Sequence, residues 1–133
     1  MKTRNSLFAT LVVFLTLLSG CGLGQKSPSQ VVKAFYEAAN AARYSEVEQY
    51  IASDTLSLVK GTLGAFAGGL KGWCDLETKN GTLTKVDIIR EEARGEGATV
   101  FARIHFKDGT TKENDKTQLI KEKGEWKITT GGN

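Results

Sequence analysis

Ala98-Thr99-Val100-Phe101-Ala102-Arg103-Ile104-His105-Phe106 alternates in character with a period of two. Ala98, Val100, Ala102, Ile104 and Phe106 share one side and are all apolar. Thr99, Phe101, Arg103 and His105 share the other. Successive side chains of a strand point to opposite faces, so this pattern predicts a strand with one buried face. A sheet with one apolar face needs a second layer to cover it.

The neighbouring segments extend the sheet. Asp108-Gly109, inside Lys107-Asp108-Gly109-Thr110, is a strong hairpin signal. A long polar strand follows from Thr110 to Lys121, apolar only at Leu119 and Ile120. Lys123-Gly124 turns into a last strand in which Trp126 and Ile128 share a face. On the other side, Arg94-Gly95-Glu96-Gly97 reads as a turn. Before it, Thr82, Thr84, Val86 and Ile88 alternate with Leu83, Lys85, Asp87 and Ile89. Upstream of Asn80-Gly81 the period becomes helical.

The covering layer is a set of helices. Ser27 caps the first, Pro28 suits its first position, and Gln30 completes a capping box. Val31, Phe35, Ala38, Ala39 and Ala42 fall on one face, which predicts an end near Ala42 or Arg43. Ser45 and Glu48 repeat the capping-box pattern and start a short helix through Val47, Tyr50 and Ile51. Ser53 or Asp54 caps a third helix, with Leu56, Val59, Leu63, Phe66 and Leu70 as its bulky stripe. Gly61, Ala65, Gly68 and Gly72 lie nearly opposite at the same spacing. A glycine inside a helix costs about 1 kcal/mol relative to alanine, so this helix is weak and breaks near Gly68-Gly69. Alanine at Gly64 and Gly68 is expected to stabilise it. The fold class is therefore α+β: N-terminal helices on a curved four-stranded antiparallel sheet.

Residues 27–36, the Tyr44-Ser45-Glu46-Val47 restart, Lys107-Asp108-Gly109-Thr110 and Gly124-Glu125-Trp126-Lys127-Ile128 carry a family resemblance. They resemble small bacterial lipoproteins of unassigned function, whose domain is similar to the nuclear-transport-factor-2-like, or cystatin-like, cone. The resemblance covers nearly all of residues 27–130 and implies a fold more than an activity.

The N-terminus carries an address. Lys2 and Arg4 precede an apolar run from Leu7 to Leu18, too short to span a bilayer. Residues 1–20 therefore read as a signal peptide. Leu18-Ser19-Gly20-Cys21 resembles the lipobox of bacterial lipoproteins. That resemblance implies diacylglycerol on the Cys21 thiol, cleavage before Cys21, and an acyl chain on the new amino group. Two or three acyl chains give stable membrane anchoring, at about 0.8 kcal/mol per buried methylene. Gly22 lacks the aspartate that often retains such proteins at the inner membrane, so in a two-membrane envelope the outer membrane, facing the periplasm, is favoured. Residues 21–26 form the lipidated cysteine and a tether of at most about 17 Å. Residues 27–130 form one α+β domain, and 131–133 a frayed end.

Composition excludes some partners. The formal charge of +3 becomes +1 once Lys2 and Arg4 are removed. The remaining basic residues are scattered, which argues against nucleic-acid binding. With Cys21 lipidated, Cys74 has no disulfide partner, and stability must come from packing.

Few residues offer chemistry. His105 is the sole histidine and sits on the outer side of its strand, where a solvent-facing role is the simplest reading. No ligand spacing suggests a metal site. Cys74, beside Trp73, reads either as a reactive thiol or as a small buried hydrophobe. Tyr36, Tyr50 and Asp54 are the only candidates for the base-and-phenol chemistry of isomerases with this fold, and no base lies on the apolar strand face. The Gly61, Ala65, Gly68 and Gly72 face is either a partner or lipid contact, or a loosely packed helix. The expectation is a non-catalytic binding module without a cofactor beyond its lipid. Phe35, Leu63, Phe66, Val100, Ile104, Phe106 and Trp126 either line a pocket for a small apolar ligand or fill the core. The alternative is a structural or assembly partner of another envelope protein.

Overall fold

The computed structural model describes residues 24–62 and 64–131. The readings on Leu18, Ser19, Gly20, Cys21 and Leu63 lie outside the described residues. Five helices precede four strands. They are α1 (Pro28–Asn40), α2 (Tyr44–Glu48), α3 (Ser53–Lys60), α4 (Gly64–Ala67) and α5 (Gly69–Thr78), then β1 (Leu83–Arg94), β2 (Gly97–Phe106), β3 (Thr111–Glu122) and β4 (Glu125–Thr129).

The strands form one antiparallel sheet in the order β1-β2-β3-β4. The alternation of β2 is realised: Ala98, Val100, Ala102, Ile104 and Phe106 are all buried. Burying an aliphatic or aromatic side chain of this size contributes about 1.5–3 kcal/mol, so this strand is the hub of the core. On β1 both Leu83 and Val86 are buried, although they have opposite parity. A register shift between Leu83 and Lys85 brings them to one face. Ile89 lies beside a second shift and stays half exposed.

The helices cover the concave face. The Ser27–Gln30 capping box forms as predicted, and α1 buries Val31, Val32, Phe35, Tyr36, Ala38 and Ala39. It ends at Asn40, earlier than the spacing suggests, because Ala42 takes a left-handed conformation with φ 56° and is exposed. Ser45 makes no cap: α2 starts one residue before it, and Arg43 pairs with Glu46 instead. Neither Ser53 nor Asp54 caps α3 through its own side chain. Its first turn is capped from the sheet, where Glu122 accepts from the Ser53 backbone N–H at 3.0 Å and from its hydroxyl. The isolated pairing of Ile51 with Ile128 ties the chain before α3 to the β4 edge, with Ile128 N donating to Tyr50 O at 2.7 Å.

The third helix breaks at Gly68, as expected, and a second interruption at Gly61-Thr62, which the spacing does not predict, divides it into three pieces. Gly68 has φ +74° and Gly69 φ +62°, a conformation that alanine resists, so Gly68 makes a turn that a continuous helix would forbid.

Candidate functional site

β4 is short and pairs only with Gln118–Glu122 of β3. The first half of β3 therefore has an open edge, and α1 and α5 pass in front of it. The result is an open cleft of about 370 Å³. Its walls are Phe35, Trp73 and Ile128, and its polar lining includes Tyr36, Glu77, Lys112, Asp115 and Thr117.

The polar residues arrive there for local reasons. Tyr36 follows Phe35 on the buried face of α1, and Trp73 and Glu77 are one turn apart on α5. On β3, Ala102 opposes Asp115 but Ile104 opposes Lys112, so one extra residue is inserted between them. Asn114, with φ 50°, lies in that bulge. Shifting a strand by one residue moves its side chains to the other face. The bulge thus places both Lys112 and Asp115 on the concave side, while Arg103 and Glu113 pair outside at 2.7 Å.

These groups form one network. The Tyr36 phenol donates to Asp115 Oδ2 at 2.8 Å and lies 3.1 Å from Glu77 Oε2. Lys112 Nζ reaches Asp115 Oδ1 at 2.6 Å and Glu77 Oε2 at 3.1 Å. Trp73 Nε1 donates to Glu77 Oε1 at 3.3 Å. The Phe35 ring stands 5.3 Å from Trp73 and 5.4 Å, edge-on, from Tyr36. Burial, reinforced by the Glu77 and Asp115 carboxylates, pushes the Tyr36 phenol far above its ordinary value and keeps it a neutral donor. Burial of Lys112 works against its charge, but Asp115 and Glu77 outweigh it and hold the ammonium above its usual range. The network presents fixed donors and acceptors, and both Asp115 oxygens already accept a bond.

The sequence-based candidates are dispersed. Tyr36 reaches the cleft, whereas Tyr50 bonds Glu46 at 3.2 Å elsewhere and Asp54 is exposed on α3. Of the expected pocket lining, Phe35 reaches the cleft. Val100, Ile104 and Phe106 are buried in the core cluster, and Trp126 borders a separate recess near the tether. Phe66 is 89% exposed and lines no core, because α4 turns away after Gly61. Ala65 lies on α4 and Gly72 on α5, while Gly61 and Gly68 lie at the breaks, so the four form no common helix face. A Cβ on Gly72 would overlap the Ala67 carbonyl, so its bareness serves the packing of α4 on α5. Cys74 is buried, which fits the small-hydrophobe reading. His105 lies outside, 2.8 Å from Asp87 Oδ2. Among the described residues no cluster of His, Cys, Asp or Glu has the makings of a metal site. No helix among them is long and apolar enough to cross a membrane.

Residues 19–129 match the family model described as Domain of unknown function (DUF4878). The chain belongs to this family. No curated protein matches this DUF4878 chain. Among solved structures it is similar to an NTF2-like transpeptidase from Campylobacter jejuni, with a TM-score of 0.56 at 12% identity over 77% of this chain and 97% of that one. It is also similar to a SEC-C motif containing protein from Rhodopseudomonas palustris, with a TM-score of 0.55 at 15% identity over 80% and 77%. At such identities the likeness concerns the fold alone. The DUF4878 domain here is thus a nuclear-transport-factor-2-like α+β cone.

Asp115, Glu77 and Lys112 are the site residues that sequence reasoning missed. In a strand reading Thr111-Lys112-Glu113-Asn114-Asp115-Lys116-Thr117, every position looks solvent-facing. The available cues are the period-two phase of Asp115 with Leu119 and, for Lys112, Asn114, a residue type that tolerates the left-handed conformation of a bulge.

Proposed function

We propose that this chain is a lipid-anchored protein of the bacterial envelope whose DUF4878 domain binds a small amphipathic ligand without transforming it. The observation that carries this reading is the cleft: aromatic walls above a network of donors and acceptors already fixed in place. Concave sites with apolar walls and a few convergent polar groups are the usual form of ligand pockets. The ligand class follows from the lining. The half-buried Trp73 ring, backed by Phe35, offers an apolar surface. Glu77 and Asp115 are set against Lys112 and Lys116, which favours a ligand of no net charge. Lipid attachment at Cys21, which would hold the domain at the membrane, is supported by the lipobox resemblance. The outer membrane is the favoured location in a two-membrane cell.

Trp73 supplies the test. In a Trp126→Phe variant it is the sole tryptophan. Its emission should shift on adding a small-molecule extract of bacterial envelopes, and the shift should saturate. An unchanged spectrum across fractionated extracts would count against the cleft as a binding site.

A second reading rests on a different observation. Phe66 is 89% and Leu76 74% exposed, and both border a recess between α4 and α5. Neighbouring exposed apolar side chains mark protein contact sites, which favours an assembly partner there. Phe66→Ser should then leave the fold intact and weaken association with other envelope proteins.

A further inference from the structure

The described chain begins at Gly24, three residues after Cys21. Three extended residues span about 10 Å, so a lipid on Cys21 sets the face around Gly24 close to the bilayer. That face has a distinct composition. Gly24, Gln25 and Lys26 lie along a recess of about 140 Å³ bordered by Tyr50, Trp126 and Lys127. Lys26 stands 6.0 Å from the Tyr50 ring, and Lys121 5.1 Å from the half-buried Trp126 ring. Lys33 shares a neighbouring groove with Gly24 and Lys26, and the Lys123-Gly124 turn lies against the Gln25 side chain.

Charge is the second observation. Lys26, Lys33, Lys121 and Lys123 make no ion pair among the described residues. Of the nearby acids, Glu37 shares the groove of Lys33 and Lys26, and the others are engaged. Glu125 pairs with Lys127 at 3.1 Å, Glu122 caps α3, and Glu46 holds Arg43 and Tyr50. Unneutralised lysines are drawn to anionic headgroups, and tryptophan and tyrosine favour the membrane–water interface.

We propose that this aromatic and basic collar is a membrane-docking face, which seats the domain on an anionic lipid surface in one orientation. The inference rests on the lipid anchor proposed above. On α1 the collar and the cleft use different sides, because Lys33 is exposed whereas Phe35 and Tyr36 are buried.

The test uses the full chain, expressed in a bacterium and reconstituted into vesicles. Trp73→Phe leaves Trp126 as the only reporter, and Trp126→Phe leaves Trp73. In phosphatidylglycerol-containing vesicles carrying a lipid brominated near its headgroup end, Trp126 should lose most of its emission and Trp73 little. In pure phosphatidylcholine vesicles the Trp126 loss should shrink. The combined K26Q, K33Q, K121Q and K123Q variant, with Trp73→Phe, should lose the dependence on anionic lipid. Its substitutions are on solvent-facing lysines, so folding is not at stake. Equal quenching of the two tryptophans in acylated protein, or none of Trp126, would overturn the docking face alone. An intact mass without acyl chains would remove the anchor and the docking face together.

Discussion

The Tyr36 phenol and the Asp115 carboxylate meet at 2.8 Å across 79 residues of sequence, joining the first helix to the third strand. This bond closes the floor of the cleft, and both partners are nearly out of solvent. Removing Tyr36's hydroxyl in Tyr36→Phe leaves Asp115 still bonded to Lys112 and should cost about 1 kcal/mol. Asp115→Ala leaves the phenol and Lys112 to share Glu77 alone, and should cost about 1–3 kcal/mol. The double variant should cost less than the sum, because the two changes remove the same bond. Urea denaturation measures all three. Strict additivity would mean that the bond contributes nothing.

Cys74 is fully buried, and burial pushes its thiol from the ordinary 9.0 up to about 11. The native protein should therefore resist alkylation at neutral pH and react fully once unfolded. The linkage has a definite sign. A group whose folded pKa is raised binds its proton more tightly when folded, so stability is whole below pH 9 and falls as pH rises towards 11. Tyr36, raised by burial and its neighbouring carboxylates, adds to the same alkaline loss. Cys74→Ala should flatten the early part of that decline in a denaturation series against pH.

Glycines 64, 68 and 72 should respond in three different ways to alanine. At Gly64 a Cβ meets only the Val59 carbonyl at 3.5 Å, so the substitution should stabilise by up to about 1 kcal/mol through helix propensity. At Gly68 the φ of +74° reverses the expectation from sequence, and alanine should destabilise by about 1–2 kcal/mol. At Gly72 the Ala67 carbonyl occupies the space a Cβ needs, so α4 must move. Hydrogen exchange across residues 64–78 should accelerate in Gly72→Ala and not in Gly64→Ala.

The parts of the fold legible in the sequence are those where one physical requirement dominates. The β2 face must be dry, so its alternation is unbroken and its five core residues can be named in advance. The Ser27–Gln30 cap is a local bargain between neighbours and also reads directly. The start of α3 was legible but its capping group was not, because that is Glu122, 69 residues away. The break at Gly68-Gly69 was legible from its glycines, but the one at Gly61-Thr62 and the positive φ of Gly68 were not, because helical spacing continues through both. The cleft was the least legible. Asp115 is in phase with buried Leu119 and faces Ala102, but its residue type in a polar strand does not mark it as inward. Lys112 has the opposite parity, and only the bulge at Asn114 brings it to the same side.

The claim that the cleft holds a ligand is tested most directly by native mass spectrometry of the full chain, purified from bacterial envelopes in mild detergent. The account predicts an added small-molecule mass on the wild type that is absent from Trp73→Leu, a change that removes the flat wall and the Glu77 contact while leaving an apolar side chain. An added mass retained equally by Trp73→Leu, or a wild type that is always empty, would contradict it.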